Sequence, residues 1–548
     1  MQHLIESVSA LSAEKRKALA ILLSQKGVNL YGIAPIFKRE ADEPLRLSYA
    51  QERQWFLWNL DPHSAAYHIP TALRLRGALD PAALARSFAT LIERHESLRT
   101  VFVEQDGHLL QRILPPFELP LPVRPLADGD TLDAAVAQEI AQLFDLQTGP
   151  LLRACLLQLA DEDHVLVLTQ HHIVSDGASM QVMVEELITC YAAYRDGGQP
   201  KLPALPIQYA DYALWQRQWM EAGERERQLA YWTGRLGDEQ PVLALPLDRP
   251  RPAVQRFHGA RLDLELPAAL SQGLQELARQ QGATLYMVLL ASFQALLHRY
   301  SRQRDIRVGV PIGNRNRAET ERLIGFFVNT QVLNADVDGQ APFTALLQQV
   351  KAAALGAQEH QDLPFEQLVD ALAPERNLSH SPLFQVLFNH QTHRAQGQQT
   401  QALPGLQIEA LNGHSPTAQF DLMLDTHESQ GQVWATLTYA TDLFDATTAQ
   451  RLATHWQRLL DGIVAAPSTR IGALPMLSVE EHARTLSTWN AAPAAFTPEQ
   501  PLHRVIEAQV ARAPQATALV FEGESLSYGD LNRRTNRLAH ALIAQGVG

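Results

Sequence analysis

The feature that most constrains this chain is the run Val165-Leu166-Val167-Leu168-Thr169, which leads straight into His171-His172-Ile173-Val174-Ser175-Asp176-Gly177. Apolar side chains alternating over so short a run predict a strand, and Asp-Gly predicts a tight turn with its glycine at unusual backbone angles. Beyond the turn, Ser179 is placed to cap a helix whose apolar positions Met180, Met183, Leu187 and Tyr191 recur at helical spacing. A strand end thus delivers a histidine pair into a turn that a helix follows. Histidine titrates near neutrality, so a rigid support holding one is good acid–base geometry. Two adjacent histidines are more often a structural or metal-ligand pair; here the aspartate and glycine at fixed spacing favour chemistry, and no further ligands stand at zinc spacing. An Asp four residues after His172 can fold back across the turn or pair with a distant arginine, and so fix the loop that aims the imidazole.

Composition narrows the rest. A chain of 548 residues is too long for one ordinary core and predicts two to four domains or lobes. Its 46% apolar and 19% charged content is that of a globular protein, and a formal charge of −13 argues against a general nucleic-acid binder, which usually shows a basic face. Cys155 and Cys190, the only cysteines, read as buried reduced thiols of a cytoplasmic protein. Met1 to Leu23 carries charges throughout, unlike a secretory signal. The most apolar helix candidate, Leu285 to Leu297, contains Ser292 and Gln294 and is too short for a bilayer. A soluble chain without membrane contact is expected.

Residues 1–44 read as short amphipathic helices stopping at Gly27, which dock on their own domain, and an extended linker from Val28 to Pro44. Ser48-Tyr49-Ala50-Gln51-Glu52-Arg53-Gln54-Trp55-Phe56-Leu57 opens an aromatic helix, with Trp55 and Phe56 as packing residues. Arg94-His95-Glu96-Ser97-Leu98-Arg99 places charges at a helix end before a strand, which predicts a buried polar network with Arg94 and Arg99 structural. Tyr209 to Gln216 fits a helix continuing towards Trp219, and the prolines of Leu243 to Pro252 mark a connector. Asp305 to Pro311 reads as a strand leading to Gly313-Asn314-Arg315-Asn316-Arg317. Ile324-Gly325-Phe326-Phe327-Val328-Asn329-Thr330 suits a bend, and Ala449 to Ala465 a closing helix.

Taken in order, these segments, with His360-Gln361-Asp362-Leu363-Pro364-Phe365 and Ser381 to Asn389, resemble the motifs of nonribosomal peptide synthetase condensation domains, relatives of chloramphenicol acetyltransferase. The His-His-x-x-x-Asp-Gly motif is the centre of that resemblance, which runs from about residue 45 to 466. It implies an α/β fold of two chloramphenicol-acetyltransferase-like lobes in a V, with the active-site tunnel between them. The expected organisation is a helical segment and linker over 1–44, lobes over 45–220 and 221–470, a linker over 471–489, and from 490 to 548 the truncated start of an adenylation domain, which Leu526-Ser527-Tyr528-Gly529-Asp530-Leu531 resembles.

The implied reaction is amide formation between two thioesters carried on the 4'-phosphopantetheine of peptidyl carrier proteins. The resemblance makes His172 the principal catalytic residue, His171 structural, and Asp176 an orienting group; Gly177 offers its backbone N–H. Arg315 is the candidate partner of Asp176, with Arg317 as the alternative. No cofactor or metal on the chain itself is implied; donor and acceptor carriers and a downstream adenylation domain are the partners of a monomeric synthetase fragment. Epimerisation of a carrier-bound peptide and a non-catalytic recruiting module are the alternatives. One departure is Ala178, where family members often carry Trp after the motif glycine.

Overall fold

The computed structural model describes Val8 and residues 11–24, 26–41, 43–127, 129–372, 377–391, 401–403, 405–411, 417–490 and 500–547. They form two compact units, residues 1–476 and 477–548.

The first sheet of the larger unit gathers strands β1 (His68–Gly77), β4 (Val123–Pro125), β5 (Leu152–Ala160) and β6 (Asp163–His171), with β2 (Thr100–Gln105) and β3 (His108–Ile113) forming a separate hairpin. β6 lies between β1 and β5, antiparallel to both. Its central position buries both faces, unlike a half-exposed alternating strand. Leu166 and Leu168 pack with Met180, Met183 and Leu187 of the helix Gly177–Arg195, while Val165 and Val167 meet Val136 and Ile140 of the helix Leu132–Ala141. The histidine pair is therefore held at the end of a strand clamped between two helices.

The second sheet uses β7 (Gly259–Glu265), β8 (Asp305–Ile312), β9 (Asn329–Asp336), β10 (Val386–Gln391), β13 (Leu422–Ser429) and β14 (Gln432–Ala440), in the order β7-β14-β13-β10-β8-β9. Its core is the almost wholly buried helix Leu285–Ser301, capped by Thr284 and flanked by helices Ala268–Gln280, Phe343–Glu359 and Ala446–Ala465.

Lobe membership is not linear in sequence. β11 (Gln401–Leu403) and β12 (Leu406–Leu411), inside the span expected to be the second lobe, join the first sheet, β12 pairing antiparallel with β1. The crossing needs glycine at one point: Gly77 has φ +123, and a Cβ there would lie 2.1 Å from the Gly405 carbonyl oxygen.

Two expected linkers are also packed. Residues 28–41 contain the turn of helix Leu30–Ile33, and Leu30, Tyr31 and Ile36 join Tyr212, Trp215 and Phe327 in one apolar cluster. Ile471 and Leu474 are buried against the second lobe, because the strip Ala466–Arg470 hydrogen-bonds back to Phe343 and Thr344. Most of residues 1–10 lie outside the described residues.

In the smaller unit, helix Leu502–Arg512, a hairpin of β15 (Thr517–Phe521) and β16 (Glu524–Ser527), and helix Tyr528–Ala544 follow one another. Ser527 caps the last helix through the Asp530 N–H.

Candidate active site

The sheet sets the backbone of the histidine pair. His171 stands opposite His68 of β1, and the His172 N–H donates to the Tyr67 carbonyl at 2.8 Å. The two rings then meet different surroundings. His171 is 3% exposed, and its Nδ1 accepts from the Ile173 N–H at 3.1 Å, so its proton sits on Nε2. Burial, followed by the neighbouring His68 and His172, holds its pKa well below the ordinary value.

His172 is half-buried, and its Nδ1 lies 2.9 Å from the Ser175 carbonyl. A carbonyl only accepts, so Nδ1 holds the proton and Nε2 carries the lone pair. Phe326 lies against the ring at 4.7 Å between centroids. Burial lowers the His172 pKa, and the Ser175 carbonyl and the Asp176 charge oppose that shift. The outcome is a neutral imidazole of fixed tautomer.

Asp176 is fully buried and caps the helix that begins at Gly177, accepting from the Ser179 N–H at 2.7 Å. This replaces the expected cap at Ser179. Gly177 likewise departs from expectation: it has no positive φ, because it is the first residue of the helix and needs only ordinary helical angles. Gly177 and Ala178 are exposed, and a Cβ on Gly177 would meet nothing within 4 Å.

The second lobe supplies the other partners of Asp176. Arg315 donates to Oδ1 at 3.1 Å and the Phe327 N–H donates to Oδ2 at 3.0 Å. Arg315 also donates to the Ser179 hydroxyl at 2.6 Å and to the carbonyls of Thr320 and Leu323, and stacks over Phe327. Ser179 bonds both the carbonyl and the N–H of Gly325. Arg317, the alternative, turns instead to the carbonyls of Tyr31, Gly32 and Ala34. Gly325 is required sterically, since a Cβ there would stand 1.9 Å from the Tyr209 ring. The Tyr209 hydroxyl in turn donates to the Phe326 carbonyl at 2.6 Å and meets Ser48 at 2.9 Å. Phe326 is thereby fixed against His172.

Arg94 and Arg99 stand elsewhere. Arg94 pairs with Glu186 at 3.1 Å beside His95, and Arg99 donates to the carbonyls of Ile92 and Leu114. Neither touches the histidine pair; both hold chain turns within the first lobe.

A cavity of about 610 Å³ opens between the lobes and reaches His171. Its walls are mainly apolar, including Phe56, Tyr67, Phe257 and Phe420. Phe56 is 46% exposed and lines this cavity, not the core, because the helix Tyr49–Leu60 turns that face towards the second lobe. Arg53 from this helix and Glu366 from the helix Phe365–Leu372 face each other there at 3.6 Å. Both escaped the reading of the sequence, since a charge on an isolated helix reads as a solvated face; the signal was their place beside aromatic residues, Arg53 ahead of Trp55 and Phe56 and Glu366 directly after Phe365.

His171 thus lines an interlobe cavity, and the adjoining loop that carries the neutral His172 imidazole is clasped to the opposite lobe by Asp176, an arrangement of two α/β lobes about a histidine pair. Residues 42–486 match the family model described as the condensation domain, and residues 506–548 match that of the AMP-binding enzyme. The chain belongs to the condensation-domain family. It is 45% identical over 538 residues to a linear gramicidin synthase subunit of Brevibacillus parabrevis, covering 97% of this chain and 7% of that protein. It is 38% identical over 529 residues to tyrocidine synthase 3 of the same organism, covering 96% and 8%. The chain thus spans under a tenth of the length of either relative. Among solved structures, the X-domain from teicoplanin biosynthesis superposes with TM-score 0.75 at 30% identity, covering 81% of this chain and all of that one. A four-domain nonribosomal peptide synthetase bound to AMP and glycine superposes with TM-score 0.77 at 23% identity, covering 92% and 39%, a likeness of fold.

Proposed function

We propose that this chain joins a donor aminoacyl, peptidyl or acyl thioester to the α-amine of an acceptor aminoacyl thioester, each carried on the phosphopantetheine of a peptidyl carrier protein. The observation that carries the proposal is the His172 ring: tautomer set by Ser175, Nε2 lone pair available, in a chain of the condensation-domain family. A thioester is already activated, so catalysis consists largely of placing the amine and excluding water. His172 Nε2 accepts an N–H of the attacking amine and takes that proton as the C–N bond forms. The tetrahedral intermediate collapses with cleavage of the C–S bond, and the proton leaves with the donor thiol. Asp176 and Arg315 act as positioning residues that hold the loop carrying the imidazole. The Gly177 N–H, at the exposed start of its helix, is the donor this reading assigns to the substrate carbonyl.

The same reading supplies the setting of the reaction: donor and acceptor carriers as partners, an adenylation domain beginning at about residue 490, and a cytoplasmic location. Among the described residues no helix is long and apolar enough to cross a membrane.

Mixing loaded donor and acceptor carriers with the native chain is expected to move the donor acyl mass onto the acceptor, read by intact-protein mass spectrometry. His172→Ala is expected to slow transfer about 10²–10⁴-fold with unchanged unfolding. Full transfer by a folded His172→Ala chain would refute the role of the imidazole. Deuterium entering a carrier-bound peptide from heavy water, with no acyl transfer, would identify epimerisation.

A further inference from the structure

The interlobe cavity holds a charge pair that the mechanism above does not use. Its walls are mostly aromatic and aliphatic, and it reaches His171, the neighbour of His172. Into it project Arg53 from the first lobe and Glu366 from the second, 28% and 20% exposed, with Nη1 and a carboxylate oxygen 3.6 Å apart. A charge-assisted hydrogen bond in a well-formed pair spans about 2.7–2.9 Å. This one is loose because Arg53 also lies over the Phe365 ring, 5.0 Å from its centroid.

We propose that Glu366 receives the acceptor amine: the substrate's α-ammonium takes the place beside the carboxylate that Arg53 holds loosely here. The inference rests on the condensation reading and adds what receives the acceptor. An aminoacyl thioester entering the cavity at neutral pH is partly an ammonium, which cannot attack a carbonyl. Glu366 pairs with that ammonium and takes one proton, leaving a neutral amine and a carboxylic acid. The amine then forms the C–N bond, a second N–H proton passes to His172, the C–S bond breaks, and Glu366 returns its proton to solvent. Burial raises the pKa of Glu366, the Arg53 charge opposing it, which suits the carboxyl to exchange with an amine. The other ionisable groups lining the cavity are Tyr49 and Glu52 on the first lobe's helix, Asp61 at its C-cap, Tyr67, His171, Asp370 and His380. The tyrosines stay neutral, their pKa values raised by burial, so the carboxylates outnumber Arg53 and make a field that admits a cation. The chemistry selected is a primary or secondary α-amine; an acceptor without one lacks the anchoring contact.

The test uses the full chain and two probes, alanyl-pantetheine and its des-amino counterpart propionyl-pantetheine. Native protein is expected to bind the alanyl probe more tightly than the propionyl probe by about tenfold, a margin Glu366→Gln removes and Glu366→Asp partly restores. In the carrier assay Glu366→Gln is expected to raise the acceptor KM about tenfold and leave the donor KM unchanged. Equal binding of both probes to native protein, or a Glu366→Gln chain with native acceptor KM, overturns this inference alone. A native chain that transfers no acyl group overturns the condensation reading and this inference with it.

Discussion

Asp176 and Glu186 are two buried carboxylates associated with one helix, Asp176 capping it and Glu186 lying further along, yet they fasten different things. Glu186 takes its partners from its own lobe: His95 at 2.8 Å and Arg94 at 3.1 Å. Asp176 takes Arg315 and the Phe327 N–H from the opposite lobe. An ionic contact made inside one lobe stiffens that lobe, whereas one made across two lobes fixes the cleft between them. Only the second can set the position of a side chain that faces the cleft.

That contrast gives its largest test in Asp176→Ala. The change deletes a helix cap and leaves Arg315 without its charge partner, so a loss of about 4–6 kcal/mol is expected, together with transfer. Chemical unfolding beside the carrier assay reads both. Glu186→Ala comes next, with about 3–5 kcal/mol lost because His95 and Arg94 are stranded, but with the turnover of the remaining folded protein unchanged. If Glu186→Ala removed turnover per folded molecule, the division between fastener and clasp would fail.

The smallest effect separates the two by pH. Burial lowers the His95 pKa below 6.5, with Glu186 opposing that shift. The folded state therefore binds fewer protons there than the unfolded chain. Its contribution is complete above 6.5 and is lost as pH falls through the folded value. Burial alone would raise Glu186, but His95 and Arg94 bring it below 4.5, so a second loss follows under that pH. His68, His171 and His172 are lowered as well, chiefly by burial, and add to the first loss. Unfolding midpoints measured from pH 7.5 to 4 are expected to fall from about 6.5 downwards, less steeply in His95→Gln. A midpoint that rose on acidification would contradict the buried neutral histidines.

Much of the site was legible because it is local. The strand into His171 and the helix bearing Met180, Met183 and Leu187 follow from periodicity, while for Asp176 the residues left two options, a fold back across the turn or a distant arginine, and the resemblance pointed to the arginine. What was misread depended on neighbours distant in sequence. Phe56 looked like core because it is aromatic, but the facing lobe leaves it lining a cavity. Gly177 was assigned a strained turn, whereas Asp176 starts the helix and removes the need for one. Residues 28–41 lack strong periodicity, yet Arg39 bonds both Glu96 and Asp211 and pins them to the first lobe.

Composition and periodicity gave a globular chain with a histidine pair at a strand end, since backbone hydrogen bonding and side-chain period act over a few residues, and motif order added the resemblance that implied two α/β lobes. The choice of Arg315 over Arg317, the return of β11 and β12 to the first sheet, and the meeting of Arg53 with Glu366 came from packing. Each brings together groups separated by over a hundred residues, and their distances depend on how two cores close against each other, which no local pattern encodes.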